Sequence, residues 1–409
     1  MVSLKGRSRL SYILAFLLMA SMLIFIARFF PVKAGLLAIL LFLCDKRPVI
    51  AKPVKVLCAF LCFSTIWGII VGCLKGTEEP FQYFFLGMVW PIMSLFILTP
   101  MLRTENDFKN LFHYLFYIHA FLILYDIGFA LSLIFSFPFY NLYPEVEIGF
   151  SFYGTSSRMN FANLNVLTYT IPIYFLIFLS KYDIGIKRFP QMVIVLISFV
   201  LLILCGRRSL MALFAFSPLM ALVFRRVLPT DLSKNLKYML IAFIIIIIGS
   251  LYYLYTTQPD AFEGYLYSFT KAFDSEEEPI KFHQAQLLYN QFLDNPIFGT
   301  GSGKYFHDSF RGYTSANYEI IYLLMLATRG IIGFIFYLIG MVGPLIVGLK
   351  YAIKAKDALF VFMLISYFYI LLAEMTNPIM NGFDLILPLL FNYAKINSII
   401  LQNRINKRI

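Results

Sequence analysis

The chain has 409 residues, of which 60% are apolar, 18% are aromatic and only 14% are charged. Soluble domains carry about 25% charged residues, so the composition excludes an ordinary soluble protein and indicates an integral membrane protein. The net charge of +12 is compatible with nucleic-acid binding, but the distribution of Lys and Arg among the predicted loops favours anchoring at the cytoplasmic face of a membrane. We therefore expect a lipid bilayer as partner and no nucleic acid.

Mostly apolar runs that are long enough to cross a bilayer recur along the whole chain. They predict an all-α integral membrane protein with about twelve transmembrane helices. The second predicted helix is short, and the tenth is long, with a break expected at Thr328-Arg329-Gly330. The predicted helices lie at 10–27, 34–44, 54–74, 81–101, 110–136, 161–180, 190–205, 209–224, 238–255, 318–349, 358–376 and 383–401.

Basic residues near the first predicted helix set the orientation. Lys5, Arg7 and Arg9 precede it or open it, so we place the N-terminus in the cytoplasm. Alternation of twelve helices then puts roughly two thirds of all Lys and Arg on the cytoplasmic side, as the positive-inside rule requires. Both termini are predicted to be cytoplasmic.

The external segments differ in length. Most are tight, the segment 137–160 is of medium length, and 256–317 is the one long loop. This loop divides the chain into helices one to nine (1–255), the large external loop (256–317) and helices ten to twelve (318–409). It contains the helix-like run KFHQAQLLYNQFLDNP and then the Gly-rich stretch GTGSGKYFHDSF. Long loops with structure of their own are often functional.

Two adjacent arginines, Arg207 and Arg208, lie in a very short external turn between apolar runs. A single guanidinium at a helix end commonly reaches the lipid headgroups. Two together make a dense positive charge, and the planar guanidinium matches phosphate oxygens in a bidentate manner. We favour a phosphate-binding role for this pair over headgroup anchoring.

Other polar residues near the external face admit two interpretations each. Arg158 either anchors a helix end or adds to the same cation cluster, and Asn165 either joins two helices or contacts substrate. Lys281 and Arg311 either balance nearby acidic residues or bind an anion. The candidates for a general base are all in or beside the long loop, although a lone loop histidine is usually not catalytic; they are His283, His307, Asp308 and Glu319.

Three motifs carry a resemblance to a known family. They are GRRSLMALF, the loop stretch DNPIFGTGSGKYF, and SANYEIIYLLMLATRGIIGFIFY, with NPIFGTG and the pair Gly330 and Gly333 the most specific parts. This pattern resembles the O-antigen polymerase and ligase superfamily, which comprises Wzy-type polymerases and WaaL-type ligases. RMNFANLN is also similar to the family's Arg-led F-x-N-P-N stretch, with Leu164 in place of the proline. Lys281 fills the family's basic position ahead of Pro296.

One departure from the family pattern bears on function. The ligases carry a His-Asn pair where this chain has Ala316-Asn317, so the resemblance favours a polymerase over a ligase. The external segments 137–160 and 256–317 occupy the places of the arginine-bearing loops of Wzy-type polymerases.

The resemblance implies a GT-C-like glycosyltransferase of the bacterial cytoplasmic (inner) membrane, which makes O-antigen lipopolysaccharide or capsule. Its substrate would be an oligosaccharide on undecaprenyl diphosphate, joined to further repeat units at the outer leaflet. Arg207, Arg208, Arg158, Lys281 and Arg311 would bind the diphosphate, and Asn165, Asn317 and Tyr313 would contact substrate. We expect no metal and no cofactor, and a chain-length regulator protein is a possible partner.

Three other functions stay open at this stage. An O-antigen ligase shares the chemistry, and a lipid-linked glycan flippase or other transporter shares the membrane setting. Transporters usually place charges at mid-membrane and contain internal repeats, whereas the interiors of the predicted helices here hold little charge, with Asp126 and Glu374 as the main exceptions. A purely structural membrane protein leaves the arginine turn unexplained.

Overall fold

The computed structural model describes most of the chain. The described residues are 9–26, 28–43, 48–143, 149–153, 156–161, 163–205, 208–224, 226–228, single positions between 234 and 263, 279–308, 312–375 and 386–406. For the strands at 149–153 and 156–160, and for a few helical positions, only the backbone is described.

Long helices make up most of the described chain. In chain order they are α1 (Arg9–Ile24), α2 (Phe30–Leu43), α3 (Lys52–Lys75), a π-helical turn (Phe85–Val89) that leads into α4 (Trp90–Met101), α5 (Glu105–Phe135), α6 (Leu164–Ser180), α7 (Arg188–Cys205), α8 (Arg208–Val223), α9 (Pro279–Asp294), α10 (Ile321–Ala355), α11 (Ala358–Ala373) and α12 (Leu387–Asn406).

Local sequence explains where several helices begin and end. Thr104 accepts a hydrogen bond from the Asp107 amide while the Asp107 carboxylate accepts one from Thr104, so a capping box starts α5. Asp357 caps α11 through the Phe360 amide. Gly76, with φ of 64°, ends α3 in the left-handed conformation.

Two antiparallel hairpins lie between the helices. In the first, β1 (Gly149–Tyr153) pairs with β2 (Ser156–Asn160), with Ser151 opposite Arg158. In the second, β3 (Phe306–Asp308) pairs with β4 (Tyr313–Ser315), with His307 opposite Thr314. Neither hairpin could be predicted from the sequence, because each strand is too short for alternation of side chains to be recognised.

The core forms around α10 and α11. Helix α3 packs along α10, and glycines of both helices permit the close approach, because a Cβ at Gly340 would lie only 2.9 Å from the Leu61 Cβ. Helix α11 packs against α6, α8, α10 and α12 and is buried along most of its length. An apolar helix that is buried on all sides is typical of the centre of a bundle.

The predicted helices agree with the structure to within a few residues wherever it describes them. The helix-like run in the long loop is confirmed as α9, and the break in α10 is confirmed at Gly330, with φ of 60° and ψ of −175°. Among the described residues, three helices are long and apolar enough to cross a bilayer, α3, α5 and α10, and several shorter apolar helices accompany them. The number of twelve helices and the external position of 256–317 stay predictions.

Candidate functional site

The Gly-rich segment after α9 is held against two helices by its own backbone. The amides of Thr300 and Gly301 donate to the carbonyls of Ala327 and Thr328 in α10, at 2.9 and 2.8 Å, and the Ser302 amide donates to Gly68 in α3 at 2.9 Å. Since these amides bond to protein carbonyls, they are not directed at an incoming anion. This segment, residues 299–303, therefore holds α3 and α10 together, and we call it the Gly-rich clamp.

The clamp coincides with the break in α10. At Gly330 the helix loses its regular hydrogen bonds, and carbonyl groups near a break need other donors. The Trp67 indole donates to the Arg329 carbonyl at 3.0 Å, and the Ile331 amide donates to Pro296 at 2.8 Å. The motif NPIFGTG and the pair Gly330 and Gly333 are thus two halves of one junction.

Three segments meet at the end of the bundle where α3 ends and α10 begins. We call the surface formed by residues 76–84, 299–308 and 312–320 the three-segment face. Tyr305 joins two of these segments, because its amide donates to Glu78 at 3.1 Å and its hydroxyl donates to Glu79 at 2.9 Å. Lys304 lies 3.5 Å from the Glu78 carboxylate. The face therefore contains both carboxylates and a cation near its rim.

The electrostatics of these groups follow from the hydrogen bonds. The Glu78 carboxylate accepts from its own backbone amide and from that of Tyr305, and these bonds lower the pKa of Glu78, with a smaller contribution from Lys304. The hydrogen bond to Glu79 raises the pKa of the Tyr305 hydroxyl. Both effects keep Glu78 ionised and Tyr305 protonated near neutral pH.

Asn317 lies at the centre of the three-segment face with its side chain held in place. Its Oδ1 accepts from Tyr83 at 2.9 Å and from Gln82 at 3.2 Å, and its backbone amide donates to Ser315 at 2.9 Å. Tyr83 is buried whereas Asn317 is exposed. Within the described residues no group accepts from the Asn317 Nδ2, so its two N–H donors have a defined direction and are available to a ligand oxygen.

The second hairpin presents the candidate bases of the loop. His307 is exposed, with its Nδ1 3.1 Å from the Thr314 hydroxyl, whereas Asp308 is buried with 3% of its surface exposed. The alternation of side chains along a strand causes this difference. Tyr313 pairs with Asp308 in the ladder. Tyr318 anchors the hairpin by donating to the Phe306 carbonyl at 2.8 Å.

The other candidate site residues in or beside the long loop lie on elements that flank the second hairpin in the sequence. Lys281 is half-buried and His283 is exposed on α9, a helix that packs against α10 and contacts β3. Glu319 is half-buried, two residues before α10. Arg311 lies outside the described residues.

The arginine turn falls at the edge of the described chain. Arg207 lies outside the described residues, and Arg208 begins α8, with its backbone alone described. Arg158 lies in β2, likewise described by its backbone, and β2 contacts α7, the helix that ends at Cys205, two residues before Arg207. Whether Arg158 belongs with the arginine turn or anchors a helix end stays a prediction.

The two asparagines of RMNFANLN occupy different surroundings. Asn163 is fully buried, so it faces protein. Asn165 is half-buried in α6 and lines an apolar cavity together with Leu115, Tyr169 and Phe391. A polar group in such a cavity serves equally to join helices or to meet a ligand, so its role stays a prediction.

Arg329 lies at the break of α10, and its surroundings could not be predicted from the sequence. None of the ion pairs among the described residues includes it. Its guanidinium instead donates to Ser64 at 2.8 Å and lies 5.5 Å from the centre of the Tyr337 ring. A basic residue inside a predicted membrane helix was the signal that pointed to it.

No group of three or more His, Cys, Asp or Glu residues suited to a metal ion occurs in the described part of the chain.

A family model described as O-Antigen ligase matches residues 192–338. The match runs from α7 through the first half of α10 and includes most of the three-segment face. No curated protein sequence matches the chain. The family match confirms the resemblance to the O-antigen polymerase and ligase superfamily, and it indicates a function of the ligase or polymerase type.

Proposed function

We propose that this chain, which carries an O-antigen ligase family domain at residues 192–338, is a surface-polysaccharide polymerase. It would join repeat units carried on undecaprenyl diphosphate at the outer leaflet of the bacterial cytoplasmic membrane. The family match supports a glycosyl-transferring enzyme that acts on lipid-linked glycans. The choice of polymerase is our inference.

The choice of a polymerase over a ligase rests on the residue before Asn317. In the ligases that the sequence resembles, this position is a histidine, and here it is Ala316, which is buried with 4% of its surface exposed. A buried methyl group can neither accept a proton nor bind an anion. The adjacent Asn317 is held by Tyr83 and Gln82, so the arrangement keeps the amide of the family's pair and lacks the imidazole.

The proposed reaction transfers a growing glycan from one lipid carrier to another. A hydroxyl at the non-reducing end of a new lipid-linked unit attacks C1 of the growing chain, the bond from C1 to the diphosphate oxygen breaks, and undecaprenyl diphosphate leaves. The departing oxygens gain negative charge, which positive side chains stabilise most strongly in a site of low dielectric constant. We propose that Arg207 and Arg208 bind the diphosphate and stabilise this charge, with Arg158, Lys281 and Arg311 as further candidates.

The proton of the attacking hydroxyl requires a base. Of the four candidates, His307 suits the role best, because it is exposed on the three-segment face and its Nδ1 is oriented by Thr314. Asp308, His283 and Glu319 remain alternatives. Asn317, Tyr313 and Asn165 would contact the substrate. No step in this scheme requires a metal or a cofactor.

The membrane topology is part of the proposal. The apolar helices and the family match support a multi-pass bacterial membrane protein, and we infer twelve membrane helices with both termini in the cytoplasm. A chain-length regulator is a further proposed partner. The proposed product is O-antigen lipopolysaccharide or capsule.

Gene deletion followed by analysis of the surface polysaccharide on a gel tests the proposal. Loss of a polymerase leaves single repeat units attached to the surface acceptor, whereas loss of a ligase leaves none. Complementation with the unaltered gene must restore the ladder. A deletion strain that carries no repeat unit at all would show that the chain is a ligase.

A further inference from the structure

Arg329 carries a buried charge without an ion-pair partner among the described residues. Only 3% of its surface is exposed, its Nη1 donates to the uncharged Ser64 hydroxyl at 2.8 Å, and its Nε lacks a hydrogen-bond partner. The face of the Tyr337 ring attracts the guanidinium, and the end of the helical segment before Gly330 also favours a cation. Neither replaces a carboxylate, and a buried charge without one is strongly disfavoured.

The surrounding structure does not depend on this charge. The Ser64 hydroxyl donates to the Gly333 carbonyl at 2.6 Å, so it stays bonded without Arg329. The Trp67 indole bonds to the backbone carbonyl of Arg329, which any residue supplies. An apolar side chain of similar length at position 329 would therefore leave no described polar group newly unsatisfied, and stability alone does not explain the arginine.

A second polar atom without a partner lies beside the guanidinium. A Cβ at Gly68 would meet both the Ser302 hydroxyl and the Arg329 side chain, with the Arg329 Nε at 3.5 Å, so the two side chains approach the same glycine. Ser302 is fully buried, and its hydroxyl has no bond to the described residues. Two donors thus converge at one place between α3, α10 and the Gly-rich clamp.

This place is connected to the three-segment face through Tyr83. The Tyr83 hydroxyl and the Arg329 guanidinium lie close enough to interact electrostatically. The same hydroxyl donates to Asn317, whose Nδ2 is available to a ligand. Arg329 and Tyr83 are both buried, so the positive field of Arg329 acts on Tyr83 with little screening, behind the donors that reach the surface.

We propose that Arg329 is a positioning residue for the negatively charged group of the substrate. Its buried charge, acting behind Tyr83 and Asn317, holds the diphosphate of a lipid-linked saccharide at the three-segment face. The inference rests on the proposed function and adds a cation that lies apart from the arginine turn in sequence. The ligand class is the diphosphate group of a polyprenyl diphosphate, either linked to the sugar or released from it.

Binding of undecaprenyl diphosphate without sugar to the full-length protein in nanodiscs tests this role. The variants are Arg329→Met, Arg329→Lys and, as a matched control, Arg188→Met. Arg188 lies away from the three-segment face, where its guanidinium donates to the Phe178 carbonyl near the C-terminal end of α6. We expect Arg329→Met to weaken binding by about tenfold or more and Arg329→Lys by only about threefold. Arg188→Met should bind as the unaltered protein does. Undecaprenol, which lacks the charge, should bind all four proteins equally.

Thermal unfolding of the same samples separates positioning from a structural role. Arg329→Met should unfold at the same temperature as the unaltered protein or a higher one. A variant that fails to fold, or that loses undecaprenol and undecaprenyl diphosphate in parallel, overturns the inference, as does unchanged diphosphate binding. If the unaltered protein does not bind undecaprenyl diphosphate at all, the proposed function itself fails.

Discussion

Lys395 of α12 forms a buried ion pair with Asp357 at the start of α11, with 2.6 Å between Nζ and Oδ2. The same ammonium lies 4.4 Å from the centre of the Phe108 ring in α5. Asp357 also caps α11 by accepting from the Phe360 amide at 2.9 Å. One pair of side chains therefore ties the consecutive helices α11 and α12 to each other and to α5, which lies far earlier in the sequence.

The ion pair leads to a prediction about stability. Lys395→Ala leaves the Asp357 carboxylate buried without its cation, and removal of one partner of a buried pair typically costs about 3–5 kcal/mol. The control is Lys109→Ala. Lys109 pairs with Glu105 at 3.3 Å, and 38% and 59% of the two side chains are exposed. Such solvent-exposed pairs contribute less than about 1 kcal/mol to stability. Thermal unfolding in detergent measures both. Equal losses in the two variants would contradict the assignment of the pair.

Gly303 supports a second prediction. It has φ of 70°, and a Cβ there would overlap the Glu79 carbonyl, so Gly303→Ala should detach the Gly-rich clamp from residues 76–80. We expect a loss of about 3 kcal/mol, of which roughly 1–2 comes from the left-handed backbone and the rest from the overlap.

Gly312→Ala is the matched control for this loss. Gly312 has φ of 67° with nothing within 4 Å of a Cβ, so the variant bears the backbone strain alone. Thermal unfolding, together with protease cleavage near residue 303, gives the comparison. If the two alanine variants lose the same stability, Gly303 does not hold the clamp as described.

Substitution of Asn317 should reduce polymer formation more than it reduces the stability of the fold. Asn317→Ala removes the donors offered to substrate and the acceptor of the buried Tyr83 hydroxyl, so we expect polymer to fall by about tenfold or more, corresponding to roughly 1.4 kcal/mol in the transition state. Asn403→Ala, at a half-exposed position near the end of α12, should leave the ladder unchanged. The measurement is the polysaccharide ladder normalised to the amount of protein in the membrane. An Asn317→Ala strain with a normal ladder would remove Asn317 from the site.

The arginine turn gives the fourth prediction. Arg207→Ala and Arg208→Ala should each abolish chain growth while the protein still inserts, because each loses a bidentate partner of the diphosphate. Arg404→Ala, at an exposed position of α12, is the control that removes an arginine elsewhere. Ladder analysis and a membrane immunoblot measure the two effects. A topology reporter beside residue 207 that responds on the cytoplasmic side would contradict the proposed orientation and the role of the pair.

Glu78 makes the docking of Tyr305 sensitive to acid. Since the pKa of Glu78 in the folded protein lies below its ordinary value, its stabilising contribution is fully present above that ordinary value and is lost as the pH falls through the lowered one. We expect the unfolding temperature of the unaltered protein to fall more steeply below about pH 4 than that of Glu78→Gln. Parallel curves for the two proteins would show that the carboxylate does not support the loop.

The positions of the helices could be predicted from the sequence for a simple reason. A helix that crosses hydrocarbon needs about twenty mostly apolar residues, and this requirement is visible within one stretch of chain. The same holds for the break at Gly330 and for α9, since both depend on neighbouring residues. The family match to 192–338 likewise reflects local motifs, so the sequence alone indicated the superfamily.

The tertiary structure decided which polar groups meet. Tyr83 and Asn317 are 234 residues apart and yet share a hydrogen bond, and Arg329 reaches Ser64 across 265 residues. The two short hairpins and the burial of Asp308 beside an exposed His307 were also absent from the sequence analysis. Apolar periodicity specifies the length and the buried side of each helix, whereas contacts between side chains depend on how the helices pack, which only the assembled bundle determines.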